Sequence, residues 1–293
     1  MAGACFSRSV SPLSLDTGVK RDAIDERRCK LCGAAARFRF AIPLNRGLKG
    51  EYFECESCEL LQSYHLDDLT ESELREIYRL DQSVDLDPAA AWRQYCVAAR
   101  LIQMSRLGLF PRRPAFKVLD FGCGAGFALS YLAWKRGWTT YGFDPYGSFG
   151  YSPHRCFSDW ESIRHNGPYH LVIASEAWEH LRHPGEEFCR IREVLDPNMA
   201  FAYATTEPYK PGRHQATWTY LAPQSGHHVA FYSHSTMGFV ARCLGIPRVE
   251  TAGAEIEWLL AREAHNPWRR LQHRTVLAGL RFGVALGLLP KIC

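Results

Sequence analysis

The sequence has little net charge and no apolar run long enough to cross a membrane. Its 293 residues include 35 Lys and Arg against 31 Asp and Glu, so the formal net charge is +4. This balance excludes a protein that coats nucleic acid through a dense basic surface, although RNA binding stays open. The longest apolar stretch, 275–290, is shorter than the roughly 20 residues that span a bilayer and contains Arg281, so we expect no transmembrane helix.

Cysteine is too sparse for a small disulfide-built scaffold, since only 11 Cys are spread over the 293 residues. No charged segment followed by an apolar one opens the sequence, so we expect a reducing, cytoplasmic compartment. The 46% hydrophobic and 13% aromatic content provides a sizeable core and excludes the disordered and fibrous classes.

The pattern along the chain predicts one full-sized α/β domain with smaller parts around it. From Phe116 to Arg262, apolar strands alternate with amphipathic helices, which is typical of a largely parallel sheet with helices on both faces. Thr70 and Glu73 form a capping box that predicts a helix start ahead of this domain. The predicted segments are a flexible tail over 1–28, a small β-rich module over 29–66, a helical connector over 67–113, the main domain over 114–262 with a long loop over 207–233, and a C-terminal helix over 263–293.

Two cysteine pairs in the small module have the spacing of a metal site. Cys29 and Cys32 are separated from Cys55 and Cys58 by 22 intervening residues, and each Cys-x2-Cys pair places two thiolates on one tight turn. Four thiolates close the tetrahedral shell of Zn²⁺, so we expect a structural zinc knuckle with no open position for chemistry. A redox pair at Cys29 and Cys32 is the alternative, but it would leave the second pair unexplained.

A glycine-rich turn follows the first predicted strand of the main domain. The strand 118–121 is followed by Gly122, Cys123, Gly124 and Gly126. Glycine has no Cβ, so a ligand can approach this backbone closely, and the turn is a candidate nucleotide site. A dinucleotide fingerprint would need glycine where Phe127 stands, and Asp120 at the strand end would repel a pyrophosphate.

The run from Asp120 to Gly126 resembles the D-x-G-x-G-x-G motif of class I methyltransferases that use S-adenosylmethionine (SAM), and the resemblance covers about residues 115–262. It implies a Rossmann-like α/β fold with a mostly parallel seven-stranded sheet, helices on both faces, and here a small N-terminal β-rich zinc-binding module. It also implies SAM as cofactor, whose ammonium and sulfonium groups suit an acidic residue near the loop. Asp144, at the end of the next strand, would accept the ribose hydroxyls. Only about ten residues join Asp144 to the third strand, so the helix usual at that point is expected to be short or absent.

The resemblance also assigns residues after the third and fourth strands. In the family an acidic or amide residue reads the adenine amino group; this role falls on Asp159, with Trp160 beside the ring, and helix capping is the alternative role for Asp159. Ser175 and Glu176 leave the carboxyl end of the fourth strand, where ligands bind in open α/β sheets. The family's Glu-His-Leu step falls on 179–181 and is expected to be mainly structural.

The long loop over 207–233 is rich in aromatic residues, which favours a substrate lid over disorder. Its segment from His228 through Phe231, Tyr232 and Ser233 resembles the His-x-x-Phe-(Tyr/Phe)-(Ser/Thr) step of small-molecule methyltransferases, in which the His lies near the acceptor. The resemblance implies that His228 is a base or an acceptor-positioning group, with Tyr232 and Glu176 as further catalytic candidates. Packing or capping ahead of the next helix is the alternative role for His228.

Three functions from different classes are compatible with these residues. The first is methyl transfer to a small molecule of the sugar, nucleotide-sugar or natural-product type, with C- or O-methylation left open. The second is RNA base methylation, since some rRNA guanine methyltransferases carry a similar cysteine module; its candidate phosphate contacts are Arg27, Arg28, Lys30, Arg37 and Arg39. The third is a SAM-binding scaffold without catalysis. The segment 269–291 is expected to pack on the sheet, with peripheral membrane contact as the alternative.

Overall fold

A computed structural model describes residues 26–81, 88–110, 115–147, 149–152, 155–252, 255–262 and 275–280. Most of the expected flexible tail and most of the expected C-terminal helix lie outside these residues. The sequence interpretation placed Glu26–Arg28 in the tail, whereas the structure forms them into a strand. Within the described part of the chain, no helix combines the length and apolarity needed to cross a membrane.

An antiparallel sheet and two helices precede the main domain. The strands are β1 (Glu26–Arg28), β2 (Ala35–Pro43), β3 (Lys49–Cys55) and β4 (Leu61–Ser63), and the helices are α1 (Glu71–Asp81) and α2 (Pro88–Arg106). The predicted capping box is present at the start of α1: the Glu73 amide donates to Thr70 Oγ1 at 3.3 Å, and the Thr70 amide donates to Glu73 Oε2 at 2.7 Å. These reciprocal bonds satisfy two of the amides that a helix start leaves unpaired.

The main sheet has seven strands and is mostly parallel. The strands after α2 are β5 (Lys117–Phe121), β6 (Thr139–Phe143), β7 (Cys156–Phe157), β8 (Leu171–Ser175), β9 (Ala200–Thr205), β10 (Ala230–Phe231), β11 (Arg248–Thr251) and β12 (Glu257–Arg262). All of these except β10 form one sheet in the order β11-β12-β9-β8-β5-β6-β7. The pairs from β9 to β7 are parallel, and β12 runs antiparallel to both of its neighbours. The predicted Rossmann-like sheet is confirmed, including its antiparallel end.

Helices cover both faces of this sheet. They are α3 (Phe127–Arg136), α4 (Trp160–Asn166), α5 (Pro184–Val194) and α6 (His234–Leu244). Successive strand residues point to opposite faces, so Leu171 and Ile173 on β8 join the buried cluster of α2 and α3, while Val172 and Ala174 join that of α4, α5 and α6. Leu277 also lies in the α2 cluster, which shows that the short helical segment 275–280 packs on the domain.

Strand β10 joins the lid to the N-terminal module. It pairs antiparallel with β4, with Ala230 opposite Gln62 and Phe231 opposite Leu61, and so completes a five-stranded sheet. A strand of two residues has too short an apolar pattern to be recognised in the sequence. Between β6 and β7 the described residues contain no helix, as the short connection predicted. The lid and the module therefore form one β structure beside the carboxyl ends of the main strands.

Candidate active site

A cavity of about 1070 Å³ lies at the carboxyl ends of β5, β6 and β8. Ligands bind at this edge in open α/β sheets, because the loops that follow neighbouring parallel strands meet there. Among the residues predicted from sequence, its wall includes Gly122, Gly124, Asp144, Trp160, Ser175, Glu176 and His228. The described wall residues do not include Asp120, Cys123, Gly126, Asp159 or Tyr232.

The glycine loop has a backbone shape that favours glycine. Gly122 has a φ of 79° and Gly124 a φ of 51°, both in the left-handed region. A Cβ added to Gly122 would lie 2.7 Å from the Cβ of Ala177, so the loop after β5 touches the loop after β8. The cavity side of the loop is bare backbone, which fits the methionine and ribose portions of SAM.

Asp144 stands at the end of β6 and is bonded to the glycine loop. The Gly124 amide donates to Asp144 Oδ2 at 2.9 Å, and the Tyr146 amide donates to Oδ1 at 2.8 Å. Each oxygen keeps a lone pair, so the carboxylate can also accept from two ribose hydroxyls. Asp120 lies buried beneath the loop, where burial and the charge of Asp144 raise its pKa to about 7. A cationic ligand group nearby would favour the ionised form of Asp120.

Three aromatic rings line the cavity beside Asp144. The ring of Phe143 lies 4.6 Å from that of Trp160 and 5.4 Å from that of Phe121, measured between centroids. This apolar surface suits a purine ring. Asp159 instead caps α4, since its Oδ1 accepts from the Ser162 amide at 2.7 Å. Asp159 is therefore the N-cap residue of α4, which was its alternative role, and its side chain is exposed.

A cluster of polar side chains lies at the other end of the cavity. The Tyr220 hydroxyl, from the lid, donates to Glu179 Oε1 at 2.7 Å and lies 3.2 Å from Glu176 Oε2. Glu176 has a left-handed φ of 48°, which is uncommon for a residue with a Cβ, and its amide donates to the Thr205 carbonyl at 3.2 Å. Burial is the main cause that raises the pKa of Glu176 to about 8 and that of Glu179 to about 7.

His228 is held in one orientation by the lid itself. Its Nδ1 lies 2.6 Å from the backbone carbonyl oxygen of Tyr220. A carbonyl can only accept, so Nδ1 carries the proton of this hydrogen bond. Burial lowers the pKa of His228, which favours the neutral ring at pH 7. In that form Nε2 has a free lone pair, as a proton acceptor requires.

Other residues singled out from sequence lie away from the cavity wall. Tyr232 is buried and donates its hydroxyl to the Trp178 carbonyl at 2.8 Å. Cys123 is buried under the loop beside Gly142, and Gly126 is the N-cap of α3. These positions give all three residues structural contacts behind the wall.

Sequence reasoning missed several residues around the cavity. Tyr220 was one of many aromatics in the lid, and its pairing with Glu179 joins positions 41 residues apart. His180 was expected to be structural, yet it lines the cavity. Tyr146 also lines the cavity and stacks on Tyr78 of α1 with centroids 4.5 Å apart, and no local motif marks either ring.

The four predicted metal-binding cysteines converge in the N-terminal module. Sγ of Cys29 lies 3.6 Å from that of Cys58, Sγ of Cys32 lies 3.4 Å from that of Cys55, and all four lie within 4.8 Å of one another. Tetrahedral Zn²⁺ with Zn–S bonds of about 2.3 Å needs sulfurs about 3.8 Å apart. The Leu31 amide points at Cys29 Sγ at 3.4 Å, as expected beside a thiolate. The cluster could therefore hold a tetrahedral metal ion.

The cysteine module contacts the lid directly. Thr236 Oγ1, in the first turn of α6, donates to the Cys58 carbonyl at 2.7 Å. The Ser63 amide donates to the Val229 carbonyl at 2.9 Å, next to His228. Displacement of the cysteine turns would therefore be transmitted to the lid residues that form the polar end of the cavity.

Comparisons with known proteins give one family match and several similar solved structures. A family model described as a methyltransferase domain matches residues 90–242. An O-methyltransferase family protein from Burkholderia thailandensis is 14% identical, with 67% of this chain and 68% of that chain covered and a TM-score of 0.44. CalO1, a methyltransferase in calicheamicin biosynthesis, is 16% identical, with 63% of this chain and 61% of that chain covered and a TM-score of 0.41.

The plantazolicin methyltransferase BpumL is 15% identical, with 75% of this chain and 93% of that chain covered and a TM-score of 0.44. No curated protein matches this chain. The family match spans more than half of the sequence and covers the glycine-loop motif and five of the seven strands of the main sheet, β5 to β9. The chain belongs to the class I SAM-dependent methyltransferase family.

Proposed function

We propose that this methyltransferase acts on a small polar acceptor of the sugar, nucleotide-sugar or natural-product type, with His228 as the base. One observation carries the proposal: the 2.6 Å contact between His228 Nδ1 and the Tyr220 carbonyl leaves Nε2 as the basic nitrogen of a residue in the cavity wall. A neutral imidazole fixed by a backbone bond is suited to take a proton from an acceptor near neutral pH.

The cofactor end of the cavity is assigned to the glycine loop and its neighbours. Gly122 and Gly124 would lie against the methionine and ribose portions, and Asp144 would accept the ribose hydroxyls. Trp160 would lie against the adenine, and Ser175 would close the wall beside it. Bound SAM supplies an electrophilic methyl group on its sulfonium.

The acceptor end is assigned to the polar cluster under the lid. His228 would receive the proton that the acceptor loses as its new bond to the methyl carbon forms. Glu176 lines the same wall and would orient a hydroxyl or a similar donor group. Methyl transfer is an in-line displacement, so holding the acceptor in this position supplies much of the catalysis.

The basic residues of the module favour a small molecule over RNA. Arg37 forms an ion pair with Glu56, Arg39 lies 3.5 Å from Glu54, and Lys30 lies 2.6 Å from Asp67. Phosphate contacts would have to compete with these internal partners.

We also propose that Cys29, Cys32, Cys55 and Cys58 bind a structural Zn²⁺. The sulfur spacing supports this, and four thiolates would leave no position for a reacting water. The zinc would stabilise the turns that contact the lid and would take no part in methyl transfer.

Transfer of labelled methyl from SAM into a cell extract tests the proposal. The extract is separated into RNA and small-molecule fractions, and wild-type protein is compared with His228→Ala and with His165→Ala, a change of an exposed histidine on α4 outside the cavity. We expect labelled methyl groups in the small-molecule fraction for the wild type and for His165→Ala. For His228→Ala the amount of label in that fraction should be lower by at least about a hundredfold. Label in RNA would overturn the acceptor class, and unchanged transfer by His228→Ala would overturn the base.

A further inference from the structure

The Tyr220 hydroxyl oxygen is surrounded by three other oxygen atoms. Glu179 Oε1 lies at 2.7 Å, Glu176 Oε2 at 3.2 Å and Thr206 Oγ1 at 3.3 Å. Glu179 and Thr206 are fully buried, and Glu176 is partly buried in the cavity wall. Few water molecules can reach this group, so its charges are poorly screened.

The number of protons in this group is restricted by its geometry. A tyrosine hydroxyl has one proton to donate, and the shorter contact assigns it to Glu179. If both carboxyl groups were ionised, Glu176 Oε2 would face the Tyr220 oxygen with no proton between them. Two negative charges would also share one poorly hydrated site, which is unfavourable at low dielectric.

We propose that Glu176 is a neutral carboxylic acid that donates to Tyr220, while Glu179 is the anion that stabilises protonated His228. This inference rests on the proposed function, because it concerns the base of the same site. A Glu179 carboxylate oxygen and a ring nitrogen of His228 lie within 4.8 Å of each other. When His228 takes the acceptor's proton, its new positive charge faces one carboxylate, and the ion pair lowers the energy of that state.

The relative proton affinities of the two carboxyl groups agree with a proton on Glu176; His228 faces this group too, since its charge lowers the pKa of Glu176, and the place of Glu179 beside His228 rests on their distance. Burial raises both pKa values, and the pKa of Glu176, about 8, is above that of Glu179, about 7. The Tyr220 hydroxyl bond lowers the pKa of Glu179, as expected for the group that receives the tyrosine proton. Several titratable or polar groups face the pair. His180 lies on the same turn as Glu179. The lid contributes Tyr220, His227 and His228, and the end of β9 contributes the uncharged Thr205 and Thr206.

Infrared spectroscopy of the whole protein tests this proton directly. At pH 7.5, which is above the pKa of about 7 of Glu179 and Asp120 and below the pKa of about 8 of Glu176, a protonated carboxyl group gives a C=O stretching band that ionised carboxylates lack. We compare the wild type with Glu176→Gln, Glu179→Gln and Glu161→Gln, the last being a change at the exposed first turn of α4. We expect the band in the wild type, in Glu179→Gln and in Glu161→Gln, and the loss of most of its intensity in Glu176→Gln, where only the protonated fraction of Asp120 remains.

Steady-state kinetics supply the second readout. Glu161→Gln changes an exposed residue outside the cavity wall and should keep kcat/KM within about threefold of the wild type, whereas Glu176→Gln should raise the KM for the acceptor that Glu176 would orient. Glu179→Gln removes the anion beside His228 and should lower kcat by about tenfold or more without changing the KM for SAM. The conservative Glu179→Asp should recover part of the loss, since it restores the charge.

Two results would overturn the proposal. One is a carboxyl band that is absent from the wild type or that disappears in Glu179→Gln and remains in Glu176→Gln. The other is a second equivalent of divalent metal in purified wild type that Glu179→Gln loses, because Glu179, His180 and His228 would then be ligands. The infrared test does not depend on whether His228 is the base. His228→Ala should keep the carboxyl band, whether or not it loses methyl-transfer activity.

Discussion

Replacement of Gly122 by alanine tests the assigned contact between the two loops that form the cofactor end of the cavity. The added Cβ meets two obstacles. The left-handed φ of 79° costs an L-residue roughly 1–2 kcal/mol, and the Cβ would approach Ala177 Cβ to 2.7 Å. Overpacking of this kind costs typically about 1–3 kcal/mol, so the free energy of unfolding should fall by about 2–5 kcal/mol in total.

Gly137→Ala is the matched control. Gly137 ends α3 with a φ of 66°, and nothing lies within 4 Å of the position that its Cβ would occupy. The free energy of unfolding of Gly137→Ala should therefore fall only by the backbone contribution, roughly 1–2 kcal/mol. Urea unfolding monitored by tryptophan fluorescence measures both changes, and the difference between the variants isolates the contact with Ala177.

The same pair of variants separates stability from cofactor binding. Relief of the contact would push the loop after β5 away from the loop after β8, so Gly122→Ala should bind S-adenosylhomocysteine at least about tenfold more weakly, or about 1.4 kcal/mol. Gly137→Ala should bind it like the wild type, because Gly137 does not line the cavity. Calorimetry of the two folded variants measures these affinities. Equal losses of stability in the two variants, or unchanged binding by Gly122→Ala, would show that the contact with Ala177 does not shape the cofactor end of the cavity.

Three further predictions concern the module, the connector and the base. Cys55→Ser should lose one equivalent of zinc, as measured by elemental analysis, and should also lower the rate of methyl transfer because the lid is displaced. Cys189→Ser, at an exposed cysteine, should change neither the zinc content nor the rate. Arg100→Leu should lower the free energy of unfolding, measured in urea, by about 3–5 kcal/mol, because it leaves the buried carboxylate of Glu257 without its bidentate partner. The double variant Arg100→Leu/Glu257→Leu should recover most of that free energy. Burial lowers the pKa of His228 below its usual 6.5, so in Glu179→Gln, which cannot titrate at position 179, kcat/KM should fall only as the pH drops below that value; an acidic limb above pH 6.5 in this variant would contradict the assignment.

The main sheet was predictable because its strands carry their own local signal. Continuous apolar runs separated by amphipathic helices indicate a buried parallel sheet whatever the side chains later contact. The boundaries were less predictable. The mostly apolar run that precedes Ser175 extends back to Tyr169, but Tyr169 makes only an isolated bridge to Leu195, and β8 begins at Leu171. Strand ends depend on hydrogen bonds to distant partners, which a local pattern does not contain.

The candidate site was predictable only where a motif determines it. The glycine loop and Asp144 lie within one strand-helix-strand unit, β5-α3-β6, so their approach follows from the parallel pairing of its two strands. Tyr220 and Glu179 meet because the lid folds back over the turn after β8, and nothing in either segment indicates the other. Asp159 had two compatible local roles, and the short bond to the Ser162 amide places it at a helix start.

The pairing of β10 with β4 joins the cysteine module to the loop over 207–233. A two-residue strand such as Ala230–Phe231 cannot hold its position alone, because it forms too few hydrogen bonds to offset the backbone entropy it loses. It is fixed by a partner strand that leaves the Cys58 turn, and by Thr236, which bonds to the Cys58 carbonyl. His228 lies two residues before β10, so the cysteine turns determine where the proposed base can stand. A zinc ion there would influence methyl transfer by fixing the lid, at a distance from the reacting atoms.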